Sequence, residues 1–164
     1  MTIRVGINGF GRIGRLVVRA LLDKPDLELV HINDVHSNAK TSAHLLEFDS
    51  VHGRLGAEIA TEDETLSINY WNVTHSSFAT PGEVDWAGRG VDLVLEASGE
   101  FRTTELLTPY LEGGVKKVIV AAPVKSEGVL NIVMGCNDDL YDPAENHIIT
   151  AASCTKTCVA PAQR

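Results

Sequence analysis

The sequence predicts a doubly wound α/β fold: a mostly parallel sheet with helices packed on it and one small antiparallel excursion. Three observations carry that prediction. Short apolar, β-rich runs alternate with stretches of helical periodicity. Several of those runs end in glycine or other small residues. The first helical stretch is entered through a glycine loop, G-x-G-x-x-G. The chain has 164 residues, 44% hydrophobic and 22% charged, with few aromatics, which is enough for one ordinary domain with an aliphatic core.

In chain order, "TIRVGIN" is the first strand. "RIGRLVVRALLDK" follows with Ile13, Leu16, Val17, Ala20 and Leu21 at helical spacing, and Pro25 ends it. "LELVHIND" is the second strand, so the chain opens β-α-β, a parallel pair with a right-handed crossover. "KTSAHLLEFDS" reads as a short helix. The stretch 51–86 is polar and turn-rich, with β-like runs such as "TLSINYWNV", and forms the antiparallel excursion. "VDLVLEASG" is a buried strand. "TTELLTPYLEGG" is a helix capped by a threonine and closed by glycines. "KKVIVAAP", "NIVMGCN" and "HIITAAS" are predicted as three more strands.

Gly9, Gly11 and Gly14 form the glycine loop. It follows a strand, opens a helix, and is answered by an acidic residue, Asp34, at the end of the next strand. That is the dinucleotide-binding, Rossmann-like arrangement. Gly9 permits the tight turn, Gly11 lets backbone approach a pyrophosphate, and Gly14 lets helix and strand pack closely. The free N–H groups of the helix start attract phosphate. Asp34 is placed to accept both ribose hydroxyls of an adenosine, and its charge repels a 2′-phosphate, so NAD is expected rather than NADP. His36 and Ser37 follow it and can soften that preference. Arg12 can meet a phosphate or a neighbouring subunit, whereas Arg15 fits a solvated face. Ser98, Gly99 and Phe101, in "EASGEF", can line the nicotinamide half, or can simply form a tight turn.

Acidic residues outnumber basic ones, 22 to 14, for a formal net charge of -8, which argues against nucleic acid as the main partner. No signal peptide and no run of membrane-spanning length is present in the sequence, and three cysteines without a staple-like pattern fit a reducing cytoplasm. Cys154 follows the last predicted strand and precedes a predicted helix. A thiol at a helix N-terminus is stabilised as thiolate, and Ser153, Thr155 and backbone N–H groups there can hold an oxyanion or a phosphate. Cys158, one turn on, fits a small buried hydrophobe. The residues alone leave Cys154 open as a nucleophile, an inert buried thiol or a zinc ligand. Zinc needs two further ligands, with Cys136 and His147 the candidates, and no second close pair exists, so no metal is expected.

The motifs "VGINGFGRIGR", "IND", "FDSVHG", "EASGEF", "AAP" and "ITAASCTKTC" follow one another as in the phosphorylating glyceraldehyde-3-phosphate dehydrogenases, and the chain resembles the cofactor half of that family. The resemblance implies an NAD-binding domain over 1–152 and, over 153–164, the start of a catalytic domain whose remainder is absent. It implies that Gly9, Phe10, Gly11, Arg12, Ile13 and Gly14 hold the dinucleotide phosphates, that Asp34 with Asn33 holds the adenosine ribose, and that Ser98, Gly99 and Phe101 border the cofactor. It implies that Cys154 attacks an aldehyde to give a thiohemiacetal, that hydride passes to NAD, and that inorganic phosphate releases the resulting thioester as an acyl phosphate. Ser153 and Thr155 match residues near the substrate-side phosphate site.

The pattern departs from the family in places. Lys156 and Thr157 replace the usual Thr-Asn between the two cysteines, Cys136 stands where valine is common, and "VTHSSFATP" occupies the place of an Arg-Asp-Pro stretch near the adenine. These departures resemble the erythrose-4-phosphate and arsenate-resistance-associated branches. The family's catalytic histidine and substrate-phosphate residues lie downstream of Cys154, beyond this sequence. The resemblance therefore supports two expectations: the NAD-binding portion of an oxidoreductase of glycolysis that takes a small phosphorylated aldehyde once the other half is supplied, or a non-catalytic NAD-binding fragment. The family is homotetrameric, and the assembly of this chain stays open.

Overall fold

The computed structural model describes residues 2–124 and 126–151. The opening unit is β1 (Ile3–Asn8), α1 (Arg12–Leu21) and β2 (Leu27–Asn33), with β1 and β2 parallel. Gly11 is the extended N-cap of α1, and Gly14, Val18 and Leu21 form its buried stripe. Next, α2 (Ala39–Glu47) begins at Asn38, whose side-chain oxygen accepts from the Thr41 N–H at 2.9 Å. Two short strands, β3 (Phe48–Asp49) and β4 (Gly53–Arg54), pair only with each other. Three antiparallel strands follow, β5 (Ile59–Glu62), β6 (Thr65–Ile68) and β7 (Trp71–Ser76). The chain then runs through β8 (Leu93–Glu96), α3 (Thr104–Glu112), β9 (Lys117–Val120), β10 (Leu130–Asn131) and β11 (Ile148–Thr150).

The main sheet has nine strands in the order β10-β11-β9-β8-β1-β2-β7-β6-β5. It is parallel from β10 to β7, and antiparallel only at the β7-β6-β5 edge. The antiparallel excursion is thus an extension of the main sheet, docked through β7 onto β2. "TLSINYWNV" is two strands rather than one run, folded back at Asn69, which takes the left-handed conformation (φ 52°) that asparagine tolerates. "NIVMGCN" is also corrected. Only Leu130–Asn131 is extended; Gly135 takes φ +78°, and the Cys136 and Asn137 N–H groups both donate to the Val133 carbonyl, at 2.9 and 3.2 Å. A turn closes there because glycine permits it.

Two apolar clusters sandwich the sheet. One joins Val5, Ile7, Val18, Leu29, Ile32, Leu46, Leu66 and Trp71; the other joins Val30, Trp86, Val94, Leu107, Tyr110 and Val118. Gly6 divides them: a Cβ there would stand 2.8 Å from Trp86 Cζ3, so the indole lies directly on the β1 backbone. The β1–β2 register shifts between Val5 and Gly6, Val5 facing Leu29 and Gly6 facing His31. That bulge turns His31 toward Trp86, edge to face at 5.4 Å. Among the described residues no helix is long and apolar enough to cross a membrane.

The strand order places the site. From β1 the chain moves to β2 on one side, and later returns to β8 on the other. The crevice beyond the carboxyl ends of β1, β2 and β8 is therefore the switch point of the sheet, where open α/β folds take ligands.

Candidate functional site

At the carboxyl end of β1 the chain enters a turn that only glycine suits. Gly9 has φ +89°, and a Cβ there would stand 2.3 Å from Ser98 N, so the end of β8 passes against its backbone. A Cβ at Gly14 would stand 2.4 Å from the Gly9 carbonyl oxygen, so α1 closes tightly onto the loop. Gly11 differs: no atom lies within 4 Å of where its Cβ would be. That side opens into a cleft of about 450 Å³, walled by Gly9 and Gly11 from the loop, Asp34 to His36 after β2, Phe78 and Ala79 after β7, and Ala97, Ser98 and Phe101 after β8.

Asp34 stands at the rim with its carboxylate fixed by backbone. Its Oδ2 accepts from Phe10 N–H at 2.6 Å and its Oδ1 from His36 N–H at 2.8 Å. Each oxygen keeps acceptor capacity for a ligand hydroxyl. The Asp34 N–H donates to the Ser76 carbonyl at 2.9 Å, which ties the rim to β7.

Of the sequence-predicted residues, Gly9, Gly11, Asn33, Asp34, Ser98 and Phe101 converge on the cleft. The Phe10 side chain does not; it is buried in the core, and only its N–H serves the site, through Asp34. Gly14 is buried beneath the loop. Arg12 and Ile13 are exposed on the first turn of α1 and do not line the cleft. Gly99 shapes the turn after β8 with φ +79°, and its carbonyl accepts from Arg102 Nε. Cys154, Ser153, Thr155 and the whole stretch 153–164 lie outside the described residues, as does Cys158. His147 is exposed, with Nδ1 3.2 Å from the Lys116 carbonyl oxygen. Among the described residues no group of three or more His, Cys, Asp or Glu is placed to hold a metal ion.

Asn33 lines the cleft with its amide engaged inside the protein. It is buried, and its amide is saturated within the protein: Nδ2 donates to Asn8 Oδ1 at 2.8 Å and to the Phe78 carbonyl at 2.9 Å, while Oδ1 accepts from Ser76 Oγ at 2.7 Å and Phe78 N–H at 2.9 Å. Asn8 in turn donates to Glu96 Oε2 at 2.7 Å. Glu96 is fully buried. Its Oε2 also accepts from the Tyr110 hydroxyl, and its Oε1 accepts from Ser98 N–H at 2.8 Å and Ser98 Oγ at 2.5 Å. Burial, and then the nearby Glu96 charge, push the Tyr110 phenol well above its ordinary range.

Sequence reasoning missed Asn8, Val35, Phe78, Ala79, Ala97, Glu100 and Leu106 in the lining. Asn8 and Ala97 had a signal, since each sits at a strand's carboxyl end beside a motif. Phe78 and Ala79 had a signal only through the resemblance, which sets "VTHSSFATP" near the adenine; Asn33 holds that segment from 45 residues away in sequence.

Comparison with known proteins gives a consistent result. Residues 3–104 match the family model described as "Glyceraldehyde 3-phosphate dehydrogenase, NAD binding domain". Glyceraldehyde-3-phosphate dehydrogenase 3 of Nostoc sp. is 56% identical over 98% of this chain and 48% of its own length. The glyceraldehyde-3-phosphate dehydrogenases of Geobacillus stearothermophilus and Streptomyces coelicolor are 48% and 47% identical, each over 98% of this chain and 48% of their own length. The chain spans about half the length of the curated relatives it matches.

Proposed function

The chain belongs to the glyceraldehyde-3-phosphate dehydrogenase family, with NAD as its cofactor, and from that premise we propose that it is the NAD-binding portion of a phosphorylating dehydrogenase of glyceraldehyde 3-phosphate. The observation that carries the reading is the Asp34 carboxylate, held by two backbone N–H groups at the rim of the switch-point cleft. The cleft fits the cofactor by its own geometry. Gly11 leaves room for a ligand against bare backbone, and the N–H groups at the start of α1 favour phosphate. Asp34 accepts the two adenosine ribose hydroxyls and disfavours a 2′-phosphate. Ser98 and Phe101 border the other half. Bound NAD supplies the hydride acceptor.

Cys154 is the proposed nucleophile. Its sulfur bonds to the aldehyde carbon, and after oxidation it carries the acyl group until inorganic phosphate takes it, with Ser153 and Thr155 beside the phosphate. The names of the relatives support glyceraldehyde 3-phosphate over the erythrose-4-phosphate alternative. After the family, the reading carries a homotetramer working in the cytoplasm. A second reading, an NAD-binding module without turnover, is favoured by Lys156 and Thr157, which break the Thr-Asn pattern between the cysteines.

The test is NADH formation by the chain supplied with the catalytic half of a family relative, glyceraldehyde 3-phosphate, NAD and inorganic phosphate. Turnover that Cys154→Ser abolishes supports the first reading. NAD binding without turnover supports the second. Absence of NAD binding rejects both.

A further inference from the structure

The two walls of the cleft are joined beneath the site by one buried line of hydrogen bonds. It runs from Ser76 Oγ and Phe78 N–H onto Asn33 Oδ1, from Asn33 Nδ2 onto Asn8 Oδ1, and from Asn8 Nδ2 onto Glu96 Oε2. Glu96 then holds Ser98 by its N–H and hydroxyl. Both ends fix the direction of the line. The Phe78 N–H can only donate, so Asn33 must present oxygen to it. The Glu96 carboxylate receives Asn8 Nδ2 and the Ser98 N–H, which can only donate, so Asn8 must present its NH₂ to that end. Neither amide can turn without setting donor against donor or acceptor against acceptor, and aligned hydrogen bonds of this kind strengthen one another. Asn8, Asn33 and Glu96 are each nearly or fully buried, so water cannot relieve a mismatch.

We propose that Asn33 and Glu96 are positioning residues for the cofactor, coupled through Asn8, so that the wall carrying Phe78 and the wall carrying Ser98 are set as one unit. This rests on the NAD reading above. The coupling makes a specific demand. Breaking either end leaves Asn8 held from one side only, so the two walls are no longer tied together, after which breaking the other end costs little more.

NAD affinity is measured by calorimetry for the chain and for Asn33→Ala, Glu96→Gln and the double variant. Each single substitution is expected to weaken NAD at least tenfold, and the double variant to stay within threefold of the weaker single. Thr150→Val, which removes a buried hydroxyl bonded to the Ala122 carbonyl away from the cleft, is expected to leave NAD affinity unchanged, which separates positioning from general loss of stability. Singles within twofold of the parent, or single effects that multiply in the double variant, overturn the proposal.

Should the variants fail to fold, the unmodified chain carries the test. Adenosine, which has no phosphate, is expected to slow hydrogen exchange at the Ser98 N–H on the opposite wall at least threefold; exchange there that ignores adenosine overturns the coupling. If the unmodified chain binds neither NAD nor adenosine, the NAD reading itself fails and the positioning role with it. Binding by the unmodified chain with multiplying variant effects sinks the coupling alone.

Discussion

Two stretches build the cleft, and different forces fix them. From Ile3 to Asp34, local pattern decides nearly everything: a strand, a glycine turn, a helix with Gly14, Val18 and Leu21 inward, and a second strand ending in an acid. From Trp71 to Phe101, distant residues decide. Trp86 rests on Gly6, the Phe78 peptide is held by Asn33, and Ser98 is pressed against Gly9. The first stretch carries the recognisable motif, and the second is shaped to meet it. A binding motif is therefore half a site, and its other wall is specified by contacts that no short window contains.

The sharpest way to break the comparison is where the stretches touch. Gly9→Val forces a side chain into φ +89° and into the Ser98 backbone, which cannot yield as a flexible side chain would. A stability loss of about 3 kcal/mol or more is expected in urea denaturation. A loss below about 1 kcal/mol would mean the walls are not in contact.

Acid probes the second stretch through His31. Burial first, then the Arg89 charge, then His75, hold its imidazole down to about 3. The ordinary value is higher, so below pH 6.5 the unfolded chain binds a proton that the fold refuses, and stability falls as pH drops toward 3. About 2 kcal/mol should be lost by pH 5. Burial also lowers His75, against the opposing charges of Glu64 and Asp34, and this adds in the same sense. The lowered carboxyls of Asp92 and Asp49 lose their contribution at still lower pH, so the range from 7 to 5 isolates the histidines. Urea melts at both pH values check this, and His31→Gln should flatten the slope; a slope unchanged by that substitution would remove His31 from the account.

Gly6→Ala tests the indole contact. The methyl group meets Trp86 Cζ3 at 2.8 Å, and a cost of about 1–3 kcal/mol is expected in thermal melts. Stability within about 0.5 kcal/mol of the parent would show that Trp86 shifts freely. Gly11→Ala meets no atom within 4 Å, so its cost is confined to the N-cap of α1, where alanine is a poorer residue than glycine: about 1 kcal/mol or less. Its NAD affinity should nonetheless fall about tenfold, because the methyl occupies the ligand's side. Unchanged affinity would place the cofactor away from this loop.

What was legible in the sequence follows the same division. The parallel sheet, the glycine turn, α1 and the position of Asp34 were readable because period and spacing encode them locally. The resemblance sets Asn33 beside Asp34 at the ribose, and no short window shows that its amide is bonded to Asn8 and to the Phe78 peptide. The β1–β2 bulge that swings His31 toward Trp86 left no trace, since Val30 and His31 look like ordinary strand residues. "NIVMGCN" looked extended because its apolar run outweighed Gly135, whose left-handed backbone ends it. The Glu96 line was hidden because a buried carboxylate contradicts the pattern of an apolar strand, and only its partners from β1, α3 and the Ser98 turn make it tolerable.

The most direct test of the central claim is a calorimetric titration of the chain with NAD and with NADP, repeated on Asp34→Asn. The account predicts saturable NAD binding, at least tenfold weaker NADP binding, and a variant in which NAD weakens while the gap to NADP narrows. Equal affinity for the two cofactors, or an Asp34→Asn variant that binds NAD like the parent, would contradict it.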